Sequence, residues 1–161
     1  MLDVIPAVLK HGCILVRDEK ELITGIITKT DLGKVLAVFS RPFVLLERIE
    51  FRIRSLVERA GFTSEELRIL ARDDGDDRPV TTVDDLTIGE YKRLLDRDDV
   101  WARIDIGIER KPFIAQLGKV RSVRNRVMHF NPDSPTDDDI DVLTRFVDLL
   151  EELAWVASKR S

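Results

Sequence analysis

The sequence predicts a mainly α-helical bundle with a small α/β unit at its N-terminal end. Three observations lead there. Between residues 40 and 157, apolar residues recur at helical spacing in one segment after another. Two capping boxes, Thr63-Ser-Glu-Glu66 and Thr87-Ile-Gly-Glu90, mark helix starts inside that stretch. Ahead of it, two short apolar runs flank a charged turn at residues 17–21, the pattern of a hairpin. The expected division is residues 1–39 for the small unit and 40–161 for the bundle.

Composition bounds the function classes. With 43% hydrophobic and 35% charged residues, the chain of 161 residues has the make-up of an ordinary globular protein. One cysteine, Cys13, excludes an internal disulfide, and with only two histidines no structural zinc site is expected. No apolar run approaches the roughly 20 residues a membrane span needs. The opening MLDVIPAVLKHG lacks a basic n-region and a cleavage site, so a cytoplasmic protein is expected. A net charge of −4 speaks against a non-specific nucleic-acid coat. The charge is uneven, however. Residues 110–130 hold six Lys or Arg and no acid, whereas acids gather at 73–77 and 133–141. Lys119, Arg121 and Arg126 then become candidates for a local RNA-binding surface. The alternative is a solvated helix face.

Taken in order, residues 2–10 suit a short helix with Leu2, Ile5, Val8 and Leu9 on one side, ended by Gly12. Cys13–Val16 and Leu22–Ile27 read as two strands of a hairpin, with Cys13 buried. Residues 31–39 return as a helix carrying Leu32, Val35, Leu36 and Phe39. Ser40-Arg-Pro-Phe43 reads as a fresh helix start, with serine as cap and proline in the first turn. The long helix that follows places Leu45, Ile49, Ile53, Leu56 and Ala60 on one stripe, and Gly61 ends it. The Thr63 capping box opens a shorter helix to about Ala71. The acidic run at 73–77, followed by Arg78-Pro79, begins a loop to residue 86. The Thr87 box opens a helix through Leu95, and residues 100–108 carry Trp101, Ile104 and Ile108 at helical spacing. Pro112 opens the next helix, expected over 113–130, with Leu117, Val120, Val127 and Phe130 as its stripe and Asn131-Pro132 as its stop. Thr136 caps the last helix, whose first turn is acidic. Its buried face is Ile140, Leu143, Phe146, Leu150 and Leu153. Trp101 and Trp155 are read as core.

Within the helix at 113–130, Arg124 falls about 40° from Val120 and so inside the apolar sector. A buried arginine needs an anionic partner, for which Glu47, Glu50, Asp105 and Glu109 are candidates. His129 points about 140° away from Arg124, and Asn125 shares its face. The run Arg121-Ser-Val-Arg-Asn-Arg-Val-Met-His-Phe130 resembles the Arg-x4-His signature of HEPN domains. These are helical bundles, many of them metal-independent ribonucleases that act as homodimers. The resemblance implies catalytic roles for Arg124, Asn125 and His129, with two copies of the motif facing each other across a dimer cleft and single-stranded RNA as substrate. The residue types suit that chemistry. A group titrating near neutrality moves the proton when RNA's own 2′-hydroxyl attacks, and a fixed cation steadies the charge that develops. Asn125 could orient either the histidine or the phosphate. In the bland alternative, His129 complements the last helix carbonyls and Arg124 sits in a buried ion pair.

Gly25-Ile-Ile-Thr-Lys-Thr-Asp31, in its helix–strand–strand–helix setting, looks like the second half of a cystathionine-beta-synthase (CBS) motif. That resemblance implies an adenine nucleotide as regulator. Gly25 would let the strand end approach the ligand, Thr28 would contact phosphate, and Asp31 would hold ribose hydroxyls. Thr30 and Asp31 could instead simply cap a helix. The first strand of such a motif is absent, which leads us to expect the C-terminal part of a longer protein. The combined expectation is a nucleotide-regulated, metal-independent endoribonuclease of the stress or phage-defence kind, with no cofactor for catalysis. Its rivals are a non-catalytic sensor that dimerises and binds an adenine nucleotide, and a plain protein-interaction module.

Overall fold

The computed structural model describes residues 2–71, 78–129 and 135–160. It is mainly helical, with one two-stranded sheet, and divides into two compact units, Met1–Arg41 and Pro42–Ser161. In the first unit a 3-10 turn, Leu2–Val4, leads into α1 (Ile5–His11), which ends at Gly12 with φ of 88°. Strands β1 (Cys13–Arg17) and β2 (Ile23–Thr28) pair antiparallel, Ile14 opposite Ile27 and Val16 opposite Gly25, with an irregularity between Val16 and Arg17. Asp18 shapes the turn by accepting the amides of Lys20 and Leu22 at 2.9 and 3.0 Å.

Burial is sparse in this unit. Val8 is its one fully buried apolar side chain among the described residues, while Leu9, Leu15, Ile26, Leu36 and Phe39 are exposed. Cys13 is exposed as well, not buried as expected. Two strands have no second layer to cover both faces, so strand membership alone does not bury a side chain.

Helix α2 (Lys29–Arg59) overturns the expected break at Ser40. It starts two residues earlier than read, because Thr28 and not Thr30 is the cap. It then runs through Pro42. Ser40 does not cap; its hydroxyl donates to the Ala37 carbonyl of its own helix at 3.4 Å. Proline removes one helical donor at a cost of about 3 kcal/mol. Burial of Pro42, Leu45, Leu46, Ile49, Ile53, Leu56 and Val57 on the following turns outweighs that loss.

The second unit adds α3 (Ser64–Ala71), α4 (Ile88–Leu95), α5 (Asp98–Ile104), α6 (Arg110–Met128) and α7 (Asp137–Arg160). Both sequence-read capping boxes form. Thr63 N–H and Thr87 N–H each donate to the glutamate three residues on, at 2.7 Å. Thr136 caps α7 through Asp139, whose carboxylate accepts the Thr136 amide at 3.2 Å. The core runs along α2, α4, α6 and α7, with Ile49, Ile53, Leu94, Leu117, Val120 and Leu143 at its centre.

Several expectations move. Helix α5 stops at Ile104, because Asp105 turns left-handed (φ 45°) and Gly107 follows at φ 72°. The Trp101 indole N–H then ties that loop by donating to the Ile108 carbonyl at 3.2 Å. Helix α6 starts at Arg110, so Pro112 lies in its first turn, where its missing N–H costs nothing. It ends at Met128; Phe130 and the Asn131-Pro132 stop lie outside the described residues, as do Asp73 to Asp77. The segment 78–86 is no loose connection, for Val80, Val83 and Leu86 are buried around a 3-10 turn. Trp155, expected in the core, is 63% exposed. No helix among the described residues is long and apolar enough to cross a membrane.

That 3-10 turn carries a pH signature. The amides of Thr81 and Thr82, with the Thr81 hydroxyl, converge on the Asp85 carboxylate at 2.8–3.0 Å. These bonds, the Thr81 amide first, hold its pKa near about 2 against 3.8 unperturbed. A depressed folded pKa contributes stability that is complete above the unfolded value and disappears as pH falls through the folded one. Urea midpoints should therefore decline between about pH 4 and about pH 2. In Asp85→Asn that decline should be shallower, and an identical decline would refute the assignment.

Candidate functional site

Helix α6 buries Phe113, Ile114, Leu117, Val120, Val123 and Val127, a stripe with the 3.6-residue period. By the wheel Arg124 falls inside that stripe, between Phe113 and Leu117, and its side chain is half-buried. None of its four candidate partners reaches it. Among the described residues its buried Nε meets no acceptor, and its Nη1 has only the Asn125 Oδ1 at 3.5 Å. Glu47 and Glu50 instead line a cleft of about 200 Å³ with Phe43, Phe51, Arg54 and Met128. Across that region Arg54 Nε lies 2.7 Å from the Asp84 carboxylate. Arg54 also bonds the Tyr91 hydroxyl, which raises the arginine's pKa. Burial pushes the Tyr91 phenol up, so it stays protonated and donates to the Val83 carbonyl.

Asn125 and His129 are both exposed, and the Asn125 carbonyl accepts the His129 amide at 3.0 Å. His129 is the C-cap of α6. Within one chain the helix thus joins Arg124 to Asn125 but leaves Arg124 and His129 about 140° apart.

Of the three candidate RNA-binding cations, Lys119 and Arg126 share the α7 side of α6 and Arg121 does not. Arg126 forms an ion pair with the buried Asp139 at the start of α7. Lys119 borders a shallow cleft between α6 and α7, beside Gln116, Val142 and Arg145. Arg121 lies on the α4 side, its guanidinium seated over Gly89, where an added Cβ would meet Nε at 3.3 Å. Sequence reasoning missed the reciprocal contact: Lys92 of α4 lays its stem over Gly118 of α6, with Cε 3.5 Å from the position of a Cβ. Gly118 itself was the available signal, since a mid-helix glycine costs roughly 0.5–1 kcal/mol against alanine unless something needs the room.

In the first unit, Thr28 and Asp31 do come together. The Asp31 Oδ2 accepts the Thr28 amide at 3.0 Å and the Thr28 hydroxyl at 2.7 Å, and the Asp31 amide donates back to that hydroxyl at 3.3 Å. The hydroxyl bond first, then the amide bond, lowers the Asp31 pKa. Gly25 is half-buried on β2; a Cβ there would only touch Val16 Cβ at 3.8 Å, so strand packing does not require glycine. Among the described residues, no three His, Cys, Asp or Glu side chains gather as a metal site would require. No family model, curated protein or solved structure matches this chain.

The two neighbouring arginines should respond oppositely to removal. Arg124→Met takes away a buried donor that bonds nothing, and a group of that kind costs about 1–3 kcal/mol. Its urea midpoint should equal or exceed that of the parent. Arg126→Ala strips a cation from the buried Asp139 and should lose about 1 kcal/mol or more. A marked destabilisation by Arg124→Met would mean that the guanidinium has a structural partner.

Proposed function

We propose that this chain is a nucleotide-regulated, metal-independent endoribonuclease of the HEPN type, working as a homodimer on single-stranded RNA. The observation that supports it most is Arg124, a half-buried guanidinium with an unbonded Nε, next to Asn125 and on an acid-free helix that ends at His129. A cation kept in the protein without an anion is poised for one brought by a ligand.

In this reading His129 takes the proton from the RNA 2′-hydroxyl, whose oxygen attacks the adjacent phosphorus. The bond to the 5′-oxygen breaks, and that oxygen leaves as a hydroxyl after taking up the proton that His129 carries. Arg124 offers its planar fork to the charge on the non-bridging oxygens, and Asn125 orients the phosphate or the ring. The products are a 2′,3′-cyclic phosphate and a 5′-hydroxyl. Because Arg124 and His129 diverge on α6, the reading places two copies of the motif face to face. The exposed Phe43, Phe51 and Met128 around the neighbouring cleft suit such a contact.

For regulation, Asp31 Oδ1 accepts no bond from Thr28, which leaves an oxygen for ribose hydroxyls. The strand packing leaves space at Gly25. A second reading, a non-catalytic sensor or dimerisation module that binds an adenine nucleotide, draws on His129 as C-cap. An imidazole N–H at that position suits the terminal carbonyls without any chemistry.

Purified protein with chelator present should cut single-stranded RNA to 2′,3′-cyclic phosphate ends and leave DNA whole. His129→Ala should slow it by roughly 10²–10⁴-fold. Arg124→Lys, which keeps charge but loses the fork, should slow it by at least about tenfold while remaining folded and dimeric by circular dichroism and sedimentation. Cleavage that survives in His129→Ala refutes the mechanism, and no cleavage of any RNA favours the sensor. Calorimetry with AMP or ATP should show weaker binding to Asp31→Ala than to the parent; equal affinity would remove Asp31 from the nucleotide site.

A further inference from the structure

Helices α4 and α6 together carry eight Lys or Arg and a single acid, Glu90. That acid is 2% exposed. Burial pushes the Glu90 carboxyl up, but bonds from Arg78 and from the Thr87 amide outweigh it and keep the group ionised inside the protein. The face that α4 and α6 present to solvent therefore bears no carboxylate of their own, within a chain of net charge −4.

Two cations are held on that face by reciprocal glycine seats, Arg121 over Gly89 and Lys92 over Gly118. Neither forms an ion pair among the described residues, whereas Arg110 pairs with Asp96 and Asp98, and Arg126 with Asp139. On α6, Gly118, Arg121, Asn125 and His129 fall within about 80° of one another. Lys92, Arg121, Asn125 and His129 thus form one polar strip, about 16 Å long at 1.5 Å per residue. The hydroxyl of Ser122, alongside, is turned back to the Gly118 carbonyl.

We propose that this strip is a track for a single RNA strand, on which Lys92 and Arg121 hold the phosphodiester backbone and lead it past Asn125 to His129. The inference rests on reading α6 as the RNA-facing helix, and it assigns the grip to Lys92 and Arg121 instead of Lys119 and Arg126. A linear polyanion fits better than a compact anion because the cations are spread along a helix and enclose no pocket. The glycine seats hold Lys92 by its stem and Arg121 by its guanidinium, so that less freedom is lost on binding.

The test uses a fluorescein-labelled single strand of 2′-O-methyl RNA, which cannot be cut because the attacking hydroxyl is blocked. Its affinity for the full chain is read by anisotropy across a salt series. Each of Lys92→Gln and Arg121→Gln should weaken binding and reduce the slope of log K against log salt by about 0.7, and the double variant by about 1.4. Lys159→Gln, on α7, should leave both affinity and slope unchanged. The proposal is overturned if the parent does not bind, if neither slope changes, or if polyglutamate competes as well as unlabelled RNA, which would identify an acidic protein as the partner. Cleavage of ordinary RNA is scored separately. Binding that follows these slopes without any cleavage would sink the nuclease reading and leave the track standing.

Discussion

Phe113 is the point on which the second unit turns. Its ring lies between Trp101 and Phe146, with centroids 5.1 and 5.2 Å away and planes tilted by 53° and 51°, so α5, α6 and α7 meet through one buried aromatic chain. With Phe113 locked at the start of α6, the remaining stripe residues must face the core every third or fourth position as far as Val127. The rotation of the helix is then no longer free. Arg124 is carried into the apolar sector, where it stays half-buried, and Asn125 and His129 are carried out to solvent. The geometry of the motif follows from that packing.

The same constraint sorts the cations of α6. Arg110 reaches Asp96 at the end of α4 and Asp98 in the first turn of α5, and Arg126 reaches Asp139 in the first turn of α7. The two first-turn carboxylates also favour the positive ends of their helices. Arg121 faces α4 instead, where the one acid is turned inward to Arg78. Arg124 is half-buried and meets no carboxylate among the described residues. Structural pairing therefore accounts for part of the cationic run and leaves a defined remainder.

The first unit is built on another principle. One hairpin and one short helix offer little to pack against, and ten large apolar side chains between Leu9 and Phe39 remain 37–69% exposed. Its order comes from polar detail: the Asp18 turn, the Gly12 helix end and the reciprocal Thr28–Asp31 cap. In that cap one oxygen of the Asp31 carboxylate takes both Thr28 donors.

Local chemistry was legible from residues alone. The caps at Thr63, Thr87 and Thr136, the hairpin, the ends of α3 and α4, and the buried stripes of α6 and α7 follow from hydrogen-bonding groups and periods that act within a few residues. The divergence of Arg124 and His129 was legible too, since 3.6 residues per turn fixes it. The passage of α2 through Pro42 was not, because a local breaker was overruled by burial that involves residues far along the chain. Nor were the exposure of Cys13 and Trp155, for burial depends on whether another layer arrives to cover a face. Which carboxylate answers which cation was likewise decided by tertiary structure. An ion pair such as Arg126–Asp139, and the reciprocal seating of Lys92 and Arg121 on two glycines, exist only once separate helices have been brought to fixed positions.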